Sequence, residues 1–137
     1  MQTTQTAPAD IAAQLPEQVI GTLTELFGSD LQQWRFIVDL FSDTVAQDLA
    51  NLEKTICSGE DAQIIEAAHR IVGSARMLGH QPIGDAARII ERTAQSIGPY
   101  HERKGEMESA LAQLHALASE FRQRADGCAW PDSAIAG

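Results

Sequence analysis

Residues 31–56, LQQWRFIVDLFSDTVAQDLANLEKTI, carry the strongest periodic signal in the chain. Leu31, Trp34, Ile37, Val38, Phe41, Val45, Leu49, Leu52 and Ile56 recur at steps of three and four almost throughout. That spacing puts them on one face of a helix too long to be anything but a principal element. An apolar face of this length has to be covered, and the rest of the chain supplies helices to cover it.

Upstream, Pro16 suits a first helical turn, and Val19, Ile20, Leu23, Leu26 and Phe27 form a short apolar stripe ended by Gly28. Downstream, Ser58 and Asp61 read as a capping box, with a shorter acid than usual, for a third helix. Its inward stripe is Ile64, Ile65, Ala68, Ile71, Val72, Ala75 and Leu78, and Gly79 ends it. A fourth helix opens at Pro82 and turns Ile83, Ala86, Ala87, Ile90, Ala94 and Ile97 inward, up to Gly98 and Pro99. Residues 100–104 read as a polar turn, and a fifth helix then buries Met107, Ala110, Leu111, Leu114, Leu117, Ala118 and Phe121. The expected fold is therefore all-α: an antiparallel up-down-up-down four-helix bundle with an additional short N-terminal helix. Residues 1–15 read as a flexible lead-in or linker, 16–124 as the bundle domain and 125–137 as a flexible tail in which Trp130 either packs back or does not.

Composition agrees and excludes several functions. Hydrophobic residues are 44% of the chain but aromatics only 5%, a balance that favours helices over strands. A net charge of -9 repels nucleic acid and anionic lipid, so neither is an expected partner and no direct membrane contact is expected. Cys57 and Cys128 are too few and too far apart for a disulfide scaffold, and no Cys/His group has metal-ligand spacing. Nothing resembles a signal peptide or a membrane span, so the cytoplasm is the simplest compartment.

One feature asks for chemistry. His69 lies mid-helix at the edge of the solvent face, and Gly73 and Arg76 follow one and two turns further along nearly the same line. A mid-helix glycine costs about 1 kcal/mol relative to alanine. One use for that cost is to clear the approach of another protein to the imidazole, whose neutral nitrogen can attack phosphorus. Arg70 and Arg76 would attract phosphoryl oxygens or an acidic partner site. On geometry alone a second reading stands beside this one. His69 is then a solvated surface residue, Gly73 serves close helix packing and the arginines are ordinary surface charges.

The segment A68-H69-R70-I71-V72-G73-S74-A75-R76-M77-L78-G79 resembles the signature of the histidine-containing phosphotransfer (HPt) family. Ala68, His69, Ile71, Gly73, Ser74, Leu78 and Gly79 fall on its pattern. The resemblance extends through the lead helices, F27-G28-S29-D30 and D48-L49-A50-N51-L52, and into I83-G84-D85-A86-A87-R88-I89-I90-E91. It covers roughly residues 17–122.

The resemblance implies that His69 is the phospho-acceptor of a phosphorelay in two-component signal transduction, taking a phosphoryl group from one receiver-domain aspartate and passing it to another. It implies no autokinase activity and no cofactor of the chain's own, since the receiver brings Mg²⁺. It implies as partners the receiver domains of a hybrid sensor kinase or response regulator, and docking on the third helix and its neighbour in the second, with Gly73 at closest approach and Ser74 in support. The chain would then be cytoplasmic, alone or at the cytoplasmic end of a membrane-bound sensor histidine kinase.

One departure is Val72, where the family usually has Lys; Arg70 and Arg76 are the candidates to compensate. Val72 keeps open an alternative, a degenerate receiver-docking or coupling domain with little or no transfer. His80, His101 and His115 read as surface or weakly capping residues, Glu66 as a solvated acid near His69, and Met77 and Met107 as packing or its margin. A closed bundle implies a monomer, whereas an apolar outer patch near the second and third helices would favour a dimer or a partner complex.

Overall fold

The computed structural model describes Ile11 and residues 14–131, and the fold is all-α. Its helices are α1 (Glu17–Phe27), α2 (Leu31–Ser58), α3 (Asp61–Leu78), α4 (Gln81–Gln95) and α5 (Tyr100–Asp126). The last four close into a ring in which α2 packs on α3, α3 on α4, α4 on α5 and α5 back on α2. Short connections make successive helices antiparallel, and α1 rests on α2 and α3.

Most of the core is the set of stripes that periodicity predicts, but Ile20, Phe27, Ile65, Leu117 and Ala118, read as inward, are only half-buried, and Ala67 and Thr93 are buried outside those stripes. Leu31, Trp34, Val38, Phe41, Val45, Leu49, Leu52 and Ile56 of α2 are all buried, while Ile37 is half-buried. Trp34 is fully enclosed, and its indole Nε1–H donates to Gly28 O at 3.1 Å, fixing the corner between α1 and α2. Gly79 ends α3 at φ 84, and any Cβ there would also collide with Thr22 of α1. This turn therefore requires glycine both for its left-handed backbone and for its close neighbour.

Several local expectations give way. Ser58 does not cap α3: α2 runs on to Ser58, whose hydroxyl donates to Thr55 O at 2.9 Å, and Gly59 then stops the helix in the left-handed region. Glu60 sits at the N-cap of α3 without a side-chain cap bond, and Asp61 instead receives a two-pronged bond from Arg103, at 2.8 and 3.2 Å. Residues 100–104 are not a turn. Pro99 precedes the first residue of α5, and Tyr100 donates its hydroxyl to Ile56 O, so this end of the helix is tied to α2 and α3. Ile97 lies beyond the end of α4 and is fully exposed rather than inward, and Leu26 is exposed as well. Ile11 and Leu15, within the stretch read as lead-in, are buried in the core. At the other end Ala125 and Cys128 are buried, and Trp130 Nε1 donates to Ala125 O at 2.9 Å. Burial pushes the Cys128 thiol up to about 11, which leaves it protonated and unreactive at neutral pH. The remainder of residues 1–15 and of 125–137 lies partly outside the described residues.

Of its two readings His80 takes the capping one, and it is buried rather than at the surface. Its Nδ1 accepts the Ile83 N–H at 3.2 Å as the N-cap of α4, with Pro82 in the second helical position. Its ring packs between Phe41 and Phe121, with centroids at 6.1 and 5.3 Å. Burial holds this imidazole below its ordinary value of 6.5, and Arg124 adds to the effect while Glu120 opposes it. The native ring thus stays neutral where the unfolded chain already takes up a proton. Its contribution is complete above pH 6.5 and is lost as the pH falls below it. His80→Ala is expected to destabilise the bundle by roughly 2–4 kcal/mol through loss of cap and packing. In urea titrations above and below pH 6.5, His80→Asn, which keeps a capping acceptor, is expected to lose less stability on acidification than the wild type.

Candidate functional site

Along α3 the buried positions are Ile64, Ala67, Ala68, Ile71, Val72, Ala75 and Leu78. The facing stripe of α4 is equally fine-grained, with Ala86, Ala87 and Ala94 buried. A Cβ on Gly84 would already stand 3.3 Å from the Ala75 side chain. Small side chains thus bring the two helices close, and the geometry of His69 depends on that closeness.

His69 stands out from α3 with 68% of its side chain exposed. Its Nδ1 lies 2.9 Å from Glu91 Oε2 on α4. A carboxylate only accepts, so Nδ1 carries the hydrogen and the ring is held in one tautomer. In the neutral ring this leaves the Nε2 lone pair pointing away from the contact, where it can act as a nucleophile. Glu91 is the residue that sequence reasoning missed: it considered Glu66, which is exposed on the preceding turn of the same helix. A signal was present, because His69 and Glu91 are equally far in sequence from His80, the pivot of the α3–α4 hairpin. Residues so placed on two antiparallel helices meet.

The predicted site residues divide among three sectors around this imidazole. Val72 and Arg76 line a cleft of about 240 Å³ with His69, and Arg88, Glu91 and Arg92 form its far wall on α4. Arg70 faces the other way, where its charge bears on Asp48 of α2; burial raises the Asp48 carboxyl and Arg70 opposes the rise. Gly73 is exposed, with nothing within 4 Å of where a Cβ would lie. It therefore serves no close helix packing within the domain. Ser74 is half-buried and lines an apolar groove of about 300 Å³ with Leu26, Leu40, Phe41 and Met77. Met77 and Leu40 are exposed by 79% and 51%, so Met77 stands at the margin of the packing rather than within it. An apolar outer patch thus adjoins Gly73 across α1, α2 and α3. Elsewhere, His115 lies 3.5 Å from Glu53, and His101 is exposed. No described helix is long and apolar enough to cross a membrane.

Fold and site together define a class: a small antiparallel helical bundle that holds a single oriented imidazole out to solvent on a rigid helix. The family model for the Hpt domain matches residues 37–127, and the chain belongs to the Hpt domain family. It accordingly takes part in histidine phosphotransfer in two-component signalling, in which Hpt domains interact with receiver domains. No curated protein matches the chain significantly.

Proposed function

We propose that His69 is the phospho-acceptor of a multistep relay, taking the phosphoryl group from one receiver-domain aspartate and passing it to another. The observation that carries this reading is the His69–Glu91 bond on an otherwise open imidazole. Nε2 attacks the phosphorus of the aspartyl phosphate; the N–P bond forms, the O–P bond breaks and the aspartate leaves as carboxylate. Nδ1–H stays with Glu91 throughout, so no proton has to move, and the carboxylate balances the positive charge that the phosphorylated ring acquires. Transfer onward is the reverse step on a second receiver. The receiver supplies the Mg²⁺ of the reaction.

The bare backbone at Gly73 and the apolar patch beside it support docking of the receiver on α2 and α3. The patch favours a partner complex over an isolated monomer. A second reading, docking with little transfer, draws on Val72, which is buried and uncharged where the family usually has Lys. The experiment that separates them mixes the chain with a receiver domain carrying labelled aspartyl phosphate. Acid-labile label appearing on the chain is expected; binding without labelling would favour the second reading.

Glu91 has its own test. Glu91→Gln keeps an acceptor but removes the charge, and is expected to slow labelling about tenfold, the difference between a charge-assisted and a neutral hydrogen bond. Nitrogen NMR of the ring should show Nδ1 protonated in the wild type and a tautomer mixture in Glu91→Ala. A ring unchanged in that variant would remove Glu91 from the mechanism.

A further inference from the structure

A phosphoryl group on Nε2 brings two negative charges to the rim of the cleft between α3 and α4. Val72, on the α3 side, has no charge to offer and is buried. Its counterpart across the hairpin is Arg88: the two are equally far in sequence from His80, as His69 and Glu91 are. Arg88 precedes Glu91 by three residues on the same face of α4, a displacement of about 4.5 Å along the helix axis. It lines the small cleft with His69 and also the larger cavity of about 520 Å³ that continues toward α1, so its half-buried side chain stands at their junction.

The distribution of charge sharpens this. The chain has 10 cationic side chains against 19 acidic ones. Arg35, Arg103 and Arg122 are each committed to an aspartate. Among the described residues the other seven have no carboxylate within ion-pair distance, and three of those seven, Arg76, Arg88 and Arg92, share the cleft beside His69. The one acid lining that cleft, Glu91, is engaged by His69. Glu25 and Asp85 line only the adjoining cavity. On a protein of net charge -9, three arginines against one carboxylate make this cleft locally cationic, and of the three only Arg88 is half-buried.

We propose that Arg88 holds the phosphoryl oxygens of phosphorylated His69, supplying from α4 the cation that position 72 lacks on α3. The inference rests on the phosphohistidine reading and deepens it: the guanidinium fork donates to the phosphoryl oxygens while Glu91 retains Nδ1.

Phosphoramidate tests it without a receiver, so that docking does not enter. Nε2 attacks its phosphorus, the new N–P bond forms, the old one breaks and ammonia departs with the proton. With the full chain, Arg88→Ala is expected to load about tenfold more slowly than the wild type, consistent with loss of one charge-assisted contact. Arg88→Lys should restore most of the rate, and Arg122→Ala, remote from the cleft, should load normally. The Arg88 Nε resonance of the wild type should shift on phosphorylation. Wild-type loading in Arg88→Ala with an unmoved Arg88 resonance would overturn the inference and leave the phosphohistidine reading standing. A slow Arg88→Ala that lysine fails to restore would mark a structural role and overturn it too. If Arg88→Ala folds poorly, the resonance and the lysine variant carry the test. A wild type that takes no label at His69 would sink both.

Discussion

His69→Gln is expected to reduce labelling from a phosphorylated receiver to background while leaving the bundle and its receiver binding intact. Glutamine has similar polarity and reach but no nucleophilic ring nitrogen, so the N–P bond has nowhere to form. The side chain is 68% exposed and contacts α4 through a single hydrogen bond, so its replacement should change stability by no more than about 0.5 kcal/mol. Circular dichroism and thermal unfolding would establish that the fold is kept. Persistent acid-labile label in this variant would shift the chemistry to another residue. His101 and His115 are the exposed alternatives, and among the described residues neither ring is held by a hydrogen bond as His69 is, His115 standing 3.5 Å from Glu53.

The second large effect is steric. Gly73 lies one turn beyond His69 on a face where an added Cβ meets nothing of the protein's own. Gly73→Leu should therefore fold at least as well as the wild type, since replacing a mid-helix glycine by a good helix former gains about 0.5–1 kcal/mol. Transfer from the receiver is nevertheless expected to fall about a hundredfold. An isobutyl group there holds the partner's aspartate back from Nε2, and a misplacement of about 1 Å suffices for a loss of that size. Phosphoramidate, which needs no docking, should load this variant at the wild-type rate. A stabilised Gly73→Leu that still exchanges phosphate rapidly with the receiver would move the docking surface away from α3. Normal donor loading beside slow transfer would identify Gly73 as a position kept clear for the partner at the expense of helix stability.

The two variants probe features that were legible before any coordinates. The spacing in residues 31–56 and 64–78 depends only on the rotation per residue of a helix, and that rotation places His69 and Gly73 outside just as it places Ala68 and Ile71 inside. Local reasoning failed once because a helix ran on past its expected end, and otherwise because a distant residue had intervened. Ser58 looks like a cap until α2 is seen to continue through it to Gly59. Residues 100–104 look like a polar turn until Tyr100 and Arg103 are seen reaching Ile56 and Asp61. His80 looks like an exposed junction residue until Phe41 and Phe121 are found on either side of it.

What the amino-acid order alone determined was the five helices described between residues 17 and 126, most of their amphipathic faces and the exposure of His69, because these follow from neighbours three and four residues apart. Only the tertiary structure decided which carboxylate orients that histidine and which arginines share its cleft. Glu91, Arg88 and Arg92 belong to a different helix, and their positions depend on how closely the alanine faces of α3 and α4 pack. Approach distance between helices is set by side-chain volumes meeting across a contact, and periodicity within one helix carries no record of it.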